Sequence, residues 1–427
     1  MPSHDHSISQ NDGDFSGGRK NAAARLRKSY SAAGSNMNRT AQFRPIFRKT
    51  AETFMAGAKT LEQEYFVSPE IFAEEKEKIF SRQWVLVGHQ SQIAEAGDYF
   101  TAEISGESFI VVRDKHGAIH GFYNLCRHRG SRLIENRNGQ CAAIQCPYHA
   151  WTYALDGRLL GAPHMDDVSG FDKADYSLHR VNLGLWEGFI FVNLAETGAL
   201  TSILSQTERR KQDGFVSLED WFAPLNGKFS HWNMSILQPA KRIEYDVRAN
   251  WKLMFENYSE CYHCPGVHPQ LQKVSPYDSA ENDLREGPFL GGFMKINPGK
   301  SLTMSGNACA AFVGKIENLQ QVFYYSIFPN MLLSLHPEYV MVHQLWPQSP
   351  ERTLIVCDWL FHPDAFSRKD FRPEDAIEFW DMTNKQDWHV CELSQQGISS
   401  RAYQPGPYSS RESIPAIWDE YYLRQVR

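Results

Sequence analysis

Long hydrophobic runs are absent from this sequence of 427 residues, and none approaches the length of a transmembrane helix, so we expect no membrane association. The sequence also lacks an excess of positive charge, since 44 Lys and Arg stand against 50 Asp and Glu, for a formal net charge of −6. This balance excludes the electrostatic footprint of a nucleic-acid-binding protein. Neither a secretory apolar segment nor disulfide spacing among the eight cysteines is present, so we expect a cytoplasmic protein with reduced thiols.

The sequence does contain enough apolar residues, 42% of the chain, for two domains with real cores. Residues 1–44 are rich in Ser, Asn, Gly and Ala, which predicts a disordered tail. We predict an N-terminal helical segment over 45–80, packed on the C-terminal domain, and a small all-β domain of short strands over 81–195. In 196–427, consecutive strands, among them one at Met331–Leu335, followed by a helix predict an antiparallel sheet with helices on one face, so the fold class is α+β.

Two short segments combine cysteine and histidine in a paired pattern. They read C-x-H and, after residues 129–145, C-x-x-H, with the candidate ligands Cys126, His128, Cys146 and His149. Two thiolates and two imidazoles can bind tetrahedral zinc or a [2Fe–2S] cluster. Zinc sites tend to place both cysteines close in sequence, whereas each segment here has one Cys and one His. The pattern favours a Rieske [2Fe–2S] cluster over zinc or four unrelated buried residues.

A second set of candidate ligands follows Trp251. Apolar residues at helical spacing predict a helix over 251–263, with Glu256, Glu260 and His263 on its other side. The Pro265-Gly266 pair should end this helix, so that His268 can fold back toward His263. The order of these residues is not the H-E-x-x-H of zinc proteases, which disfavours a metallopeptidase.

Two histidines need a carboxylate to complete the facial triad of a non-haem Fe(II) site, which leaves positions open for O₂. The best candidate is Asp387, in a helix predicted over 374–396 with Gly397 as its stop. Asp387 shares an inward stripe with apolar residues, where a carboxylate without a partner would be costly. Asp381 and Glu392 are rivals that lie off the stripe, and a buried salt bridge is the alternative role for Asp387.

The two Cys/His segments, Asn124–Gly130 and Cys146–Gly157, resemble the cluster loops of the large (alpha) subunits of Rieske non-haem iron oxygenases. The resemblance extends from about residue 50 to the C-terminus and implies a Rieske domain joined to a helix-grip catalytic domain. Ala150 departs from the family, which most often has Gly there. Respiratory Rieske proteins link their two cluster loops with an additional disulfide. Ser131 and Tyr148 stand at the positions of its two cysteines here.

The resemblance also implies roles and partners. Glu260 would link His149 of a neighbouring subunit to His263, within a homotrimer. NAD(P)H would supply electrons through a separate flavin/iron–sulfur reductase, directly or via a ferredoxin, because neither a second cysteine cluster nor a G-x-G-x-x-G motif is present in the sequence. Most of the family has Asp at the position of Glu260, and Glu resembles the branch that acts on glycine betaine and carnitine.

We therefore expect a monooxygenase that N-demethylates a quaternary ammonium compound, with hydroxylation of an aromatic ring as the alternative. A respiratory-type electron carrier is a third reading, against which the second ligand set argues. The C-terminal half is rich in aromatic side chains, which predict either a cation–π cage for a trimethylammonium group or ordinary core packing. These side chains are Phe323, Tyr324, Tyr325, Phe328, Trp346, Trp359, Trp380 and Trp388.

Overall fold

An eight-stranded antiparallel sheet organises the C-terminal half of the chain in a computed structural model that describes residues 45–195, 215–311 and 320–427. Its strand order is β1-β13-β14-β15-β16-β17-β18-β12, so the first strand of the described residues borders the sheet at one edge. The strands are β1 Arg48–Lys49, β12 Gln238–Val247, β13 Glu281–Glu286, β14 Phe289–Lys295, β15 Gln321–Ile327, β16 Met331–Leu335, β17 Val340–Ser349 and β18 Arg352–Phe361.

The central strands of this sheet are buried on both faces. Every residue of β16 is buried, and β17 is buried from Val340 to Leu345, because helices cover one face and a second apolar cluster covers the other. That second cluster includes Trp84, Trp186 and Phe222, which come from the N-terminal domain and from the segment that follows it. The sheet is therefore the shared wall between two cores.

Three small antiparallel sheets form the N-terminal β domain, with strand orders β10-β11-β2, β5-β4-β3-β6 and β7-β8-β9. Its strands are β2 Val85–His89, β3 Asp98–Ile104, β4 Glu107–Arg113, β5 Ile119–Tyr123, β6 Asn138–Gln140, β7 Ile144–Gln145, β8 Thr152–Tyr153, β9 Leu159–Gly161, β10 Asn182–Trp186 and β11 Phe189–Asn193. A separate core cluster in this domain contains Cys126, Cys146 and Trp151, so the two Cys/His loops are anchored by their buried cysteines.

The helices pack mainly on one face of the large sheet, where the long α7 contacts α4 and β12, and α8 contacts α4, β13 and β14. Their bounds are α1 Glu64–Val67, α2 Pro69–Glu75, α3 Leu218–Phe222, α4 Trp251–Tyr258, α5 Cys264–Val267, α6 Pro269–Gln272, α7 Pro373–Ile398 and α8 Ser413–Val426. A π-helical turn at Lys76–Phe80 follows α2. The α+β fold class predicted from the sequence is confirmed.

The N-terminal helical segment is joined to the rest of the chain through a buried charge. Glu75, at the end of α2, accepts hydrogen bonds from Lys252 at 2.5 Å and from Trp251 at 2.9 Å, both on α4. Tyr422 on α8 donates to the same carboxylate at 2.5 Å. The predicted boundaries of the domains remain predictions, and the tail over 1–44 lies outside the described residues.

Three details of the prediction were wrong. Helix α4 ends at Tyr258 rather than at residue 263, because Ser259 leaves the helical conformation and hydrogen-bonds Ser326 of β15 at 2.9 Å. Gly397 lies inside α7 rather than after it. The reduced thiols expected outside the cluster were also wrong for Cys261 and Cys264, which form a disulfide because the turn after α4 brings their Cα atoms to 5.0 Å.

Among the described residues, no helix combines the length and the apolarity that a membrane crossing requires.

Candidate active site

The two Cys/His loops have the same backbone geometry. In the first loop the N–H of Gly130 donates to the carbonyl of Cys126 at 2.9 Å, and in the second the N–H of Ala150 donates to the carbonyl of Cys146 at 3.1 Å. Gly130 and Ala150 both have positive φ, 73° and 53°. That conformation is easiest for glycine, which explains why Gly is common at the position of Ala150 and why Ala is tolerated there at some strain.

The loops bring all four predicted ligands of the first site together. Cys126 and Cys146 are buried and free of disulfides, and the rings of His128 and His149 lie 4.8 Å apart between centroids. The Nδ1 atom of His149 is buried without a hydrogen-bond partner among the described residues, as expected of a nitrogen reserved for a metal. Two thiols held inside and two imidazoles nearer the surface fit a cluster with its histidine end outward.

Tyr153 supports the cysteine end of this site. Its hydroxyl accepts the N–H of Arg127 at 3.0 Å and lies 3.3 Å from Sγ of Cys126. Because the oxygen already accepts one bond, its proton is free to point at the sulfur. A hydrogen bond to a cluster sulfur stabilises the reduced, more negative state.

The second site gathers His263, His268 and Asp387 from two separate segments. Nε2 of His268 lies 2.8 Å from Oδ1 of Asp387, and Nε2 of His263 lies 3.3 Å from the same oxygen. Two imidazole nitrogens and one carboxylate oxygen thus converge on one point. This donor set can hold Fe(II) with open coordination positions.

The outward nitrogens of both histidines have partners that orient the rings. Nδ1 of His263 lies 2.6 Å from Oε1 of Glu260, and Nδ1 of His268 donates to Oε1 of Gln386 at 2.8 Å. Such bonds direct Nε2 toward a metal. Burial alone would lower the pKa of His263, but the hydrogen bonds with Asp387 and Glu260 raise it to about 10 when no metal is bound. Burial would likewise raise the pKa of Asp387, but both histidines hold it below its usual value.

The rivals of Asp387 are engaged elsewhere. Asp381 accepts from the hydroxyl of Tyr245 at 3.0 Å and pairs with Lys385, and Glu392 accepts the N–H of Arg248 at 3.0 Å. Sγ of Cys264 also lies near His263 and His268, but its disulfide with Cys261 removes it as a ligand. Asp387 is therefore the carboxylate that the fold offers to the two histidines.

A cavity of about 370 Å³ opens beside these groups. Glu260, His263, His268 and Asp387 line it, together with Tyr258, Tyr324, Trp380 and Trp388. Of the eight aromatic residues considered from the sequence, only Tyr324, Trp380 and Trp388 belong to the lining, while others such as Phe323 and Tyr325 pack in the second core cluster. Most of these eight aromatic side chains therefore pack in the core, and the other three form part of the cavity wall.

Two residues of the site were not recognised in the sequence, His343 of the cavity lining and Gln386, which contacts His268. His343 is 1% exposed, its Nε2 lies 3.3 Å from Oδ1 of Asn384, and its Nδ1 has no partner in the described part of the chain. Burial lowers its pKa to about 4, so the ring is neutral. The signal available for His343 was a histidine within the apolar run of β17. Gln386 gave no signal in the sequence, because its role depends on where the fold places His268.

Comparisons with known proteins agree with this geometry. A sequence profile of the Rieske [2Fe-2S] domain matches residues 83–172, and one of the ring hydroxylating alpha subunit (catalytic domain) matches residues 234–425. The glycine betaine monooxygenase oxygenase subunit of Chromohalobacter salexigens is 33% identical over 83% of this chain and 82% of that protein. The carnitine monooxygenase oxygenase subunit of Escherichia coli is 30% identical over 81% of this chain and 86% of that protein.

A solved structure of a quaternary ammonium Rieske monooxygenase, described in connection with carnitine oxidation by gut microbiota, superimposes with a TM-score of 0.72 at 25% identity. The match covers 89% of this chain and 100% of that chain. Naphthalene 1,2-dioxygenase from Rhodococcus sp. shares the fold alone, with a TM-score of 0.65 at 21% identity, over 86% of this chain and 94% of that one. The arrangement of both sites and these relatives together show that the chain belongs to the Rieske non-haem iron oxygenases, as an oxygenase large (alpha) subunit.

Proposed function

We propose that this protein is the terminal oxygenase that N-demethylates a quaternary ammonium compound. The observation that supports this most directly is the cavity, in which the two-histidine, one-carboxylate set shares a wall with Tyr258, Tyr324, Trp380 and Trp388. Aromatic faces attract trimethylammonium groups, which carry no hydrogen-bond donor. The names of the relatives from C. salexigens and E. coli, glycine betaine and carnitine monooxygenase subunits, support the same substrate class.

The residues divide into three roles. Cys126, His128, Cys146 and His149 would hold the [2Fe–2S] cluster, and His263, His268 and Asp387 would hold Fe(II). When bound, the cluster supplies electrons one at a time and the mononuclear iron supplies O₂ activation. Glu260 and Gln386 keep the ligand rings in place through their Nδ1 atoms.

The overall reaction balances with two electrons. One oxygen atom of O₂ enters a methyl C–H bond and the other leaves as water, with two electrons and two protons consumed. The hydroxymethyl ammonium then loses formaldehyde and a proton and leaves a tertiary amine. The electrons come from NAD(P)H through a separate flavin/iron–sulfur reductase, directly or via a ferredoxin.

Transfer between the two sites is proposed to cross a subunit boundary in a homotrimer, from His149 of the partner subunit through Glu260 to His263. Two exposed aromatic side chains support this arrangement. Tyr148 is 57% exposed and stacks on His149 at 3.7 Å between ring centroids, and Tyr262 is 55% exposed beside His263. Large exposed rings next to both sites are typical of surfaces that another chain covers. A cytoplasmic location is proposed because six of the eight cysteines are free thiols, and only Cys261 and Cys264 form a disulfide among the described residues.

The experiment that tests this function is product analysis with an NADH-driven reductase. The panel contains glycine betaine, carnitine, choline, stachydrine and several aromatic acids, and Asp387→Asn is the control without a complete ligand set. We expect formaldehyde and the demethylated amine in equal amounts from one of the ammonium compounds. A hydroxylated ring without formaldehyde would replace this proposal by the aromatic-ring alternative.

A further inference from the structure

We propose that Arg411 binds a carboxylate of the substrate, so that the substrate is a betaine with a cationic head and an anionic tail. This inference rests on the proposed N-demethylation and adds the feature that separates betaines from other quaternary ammonium compounds. Arg411 lies in the loop that precedes α8 and belongs to the same cavity lining as His263, His268 and Asp387.

The cavity extends across the large sheet from the iron ligands to Arg411. The turn after α4 contacts the middle of the sheet, where Tyr258 hydrogen-bonds Ser334 of β16 and Ser259 hydrogen-bonds Ser326 of β15. Helix α8, which follows Arg411, packs on β13, β14 and α4. Within the described residues Arg411 forms no ion pair with Glu260 or Asp387, although all three line the cavity. Arg411 therefore reaches the cavity from a separate segment of the chain and does not pair with the carboxylates at the iron site.

The guanidinium of Arg411 is held in place but not neutralised. It lies over the ring of Tyr277, 4.9 Å from the centroid, and Tyr277 also lines the cavity. Within the described residues, no carboxylate lies within 4.0 Å of this guanidinium, which distinguishes it from the paired Arg242 and Arg352. A stacked guanidinium keeps its edge free for a planar anion.

The cavity lining contains two groups of charged residues. Near the iron ligands the cavity has aromatic faces and the carboxylates of Glu260 and Asp387, which suit an ammonium group. The other charged residues of the lining are Arg411, a second cation, Lys49, and one acid, Asp278, so that among these three the cations outnumber the acid. A zwitterion with its methyl groups toward the iron would place its carboxylate toward Arg411.

The test compares Arg411→Gln and Arg411→Lys with the wild-type holoenzyme on γ-butyrobetaine, glycine betaine and choline. Arg401→Gln is the matched control, because Arg401 is exposed, as Arg411 is, but lies outside the cavity lining. Steady-state formaldehyde release gives KM and kcat, and calorimetric titration of the resting enzyme gives Kd without turnover. We expect Arg411→Gln to raise KM and Kd for γ-butyrobetaine about ten-fold or more, as for a lost charge-assisted hydrogen bond. We expect kcat and the choline values to change less than about two-fold, and Arg411→Lys to recover part of the loss.

The other possible results overturn either the carboxylate site alone or the proposed function together with it. If either betaine is demethylated and its KM and Kd are equal in the wild type and Arg411→Gln, the carboxylate site is overturned and the proposed function stands. The same conclusion follows if choline is the preferred substrate. If no ammonium compound on the panel yields formaldehyde, the proposed function fails and the carboxylate site fails with it.

Discussion

Glu260 and His263 form a hydrogen bond of 2.6 Å between Oε1 and Nδ1, although they lie beyond the end of α4 rather than on it. The same carboxylate accepts backbone N–H groups of Tyr262 and His263 through its other oxygen. One side chain thereby fixes the turn and the orientation of the histidine ring. This double role and the disulfide between Cys261 and Cys264 together hold the shape of the turn.

Replacing Glu260 by Gln should separate metal binding from turnover. The amide oxygen of the substituted side chain can still accept from Nδ1 of His263, so the protein should keep both metals. The charge that links the two centres is lost, and we expect turnover to fall by about 100-fold. Iron analysis and steady-state formaldehyde release measure the two properties, and Glu378→Gln, on the exposed side of α7, is the control. Normal turnover in a fully metallated Glu260→Gln variant would contradict the relay.

Replacing Asp387 by Asn should remove the mononuclear iron and spare the cluster. Asp387 is the carboxylate that approaches both histidine Nε2 atoms, at 2.8 and 3.3 Å. Asp381→Asn is the matched variant earlier on α7, where the side chain binds Tyr245 and Lys385 instead. We expect two irons per chain in Asp387→Asn and three in Asp381→Asn, with the same cluster absorbance. The reverse outcome would make Asp381 the ligand.

Removing the hydroxyl of Tyr153 should lower the reduction potential of the cluster. That hydroxyl lies 3.3 Å from Sγ of Cys126, and its loss leaves more charge on the sulfur of the reduced state. A bond worth about 1 kcal/mol corresponds to about 40 mV for one electron. Redox titration of Tyr153→Phe measures the shift. Tyr176→Phe is the control, because its ring packs on Trp151, 5.7 Å away between centroids. An unchanged potential in Tyr153→Phe would show that the hydroxyl does not donate to the sulfur.

A buried acid on α8 should make stability depend on pH. Burial raises the pKa of Asp419 to about 7, although Tyr408 donates to it at 2.7 Å, and burial also raises the pKa of the neighbouring Glu256. The unfolded carboxyl releases its proton near pH 4, so between about pH 4 and pH 7 the folded state binds the extra proton. The stability that this group contributes is therefore present at low pH and is lost as pH rises to about 7.

Asp419→Asn removes the free-energy cost of ionising this buried carboxyl, and its neutral amide can still accept a hydrogen bond from Tyr408. We expect the variant to unfold at a higher temperature than the wild type, with a gain larger at pH 8 than at pH 5 by about 2 kcal/mol. Thermal denaturation at pH 5 and pH 8 measures this gain in stability. Asp364→Asn, with a side chain that is 88% exposed, is the control and should show no such difference. A gain that is the same at both pH values would assign the effect to packing rather than to ionisation.

Much of the fold was predictable because its patterns are local. The strand Met331–Leu335 was predicted at its observed bounds, and the helix of Asp387 within two residues at each end. Runs of apolar residues between turn signals are enough for such elements. The end of α4 was not predictable, because the contact that ends it joins Ser259 to Ser326, 67 positions along the chain.

The sequence by itself determined the chemistry of this protein. The paired Cys/His loops identify a cluster site because ligand type and short spacing restrict the metals that fit, and His263 and His268 lie close enough in the chain to be recognised together. Only the tertiary structure decided which carboxylate joins them, which aromatic rings face the cavity, that Gln386 contacts His268 and that Arg411 belongs to the cavity lining. Those residues come from segments distant in the chain, and their meeting depends on how the helices pack across the sheet, which no local pattern encodes.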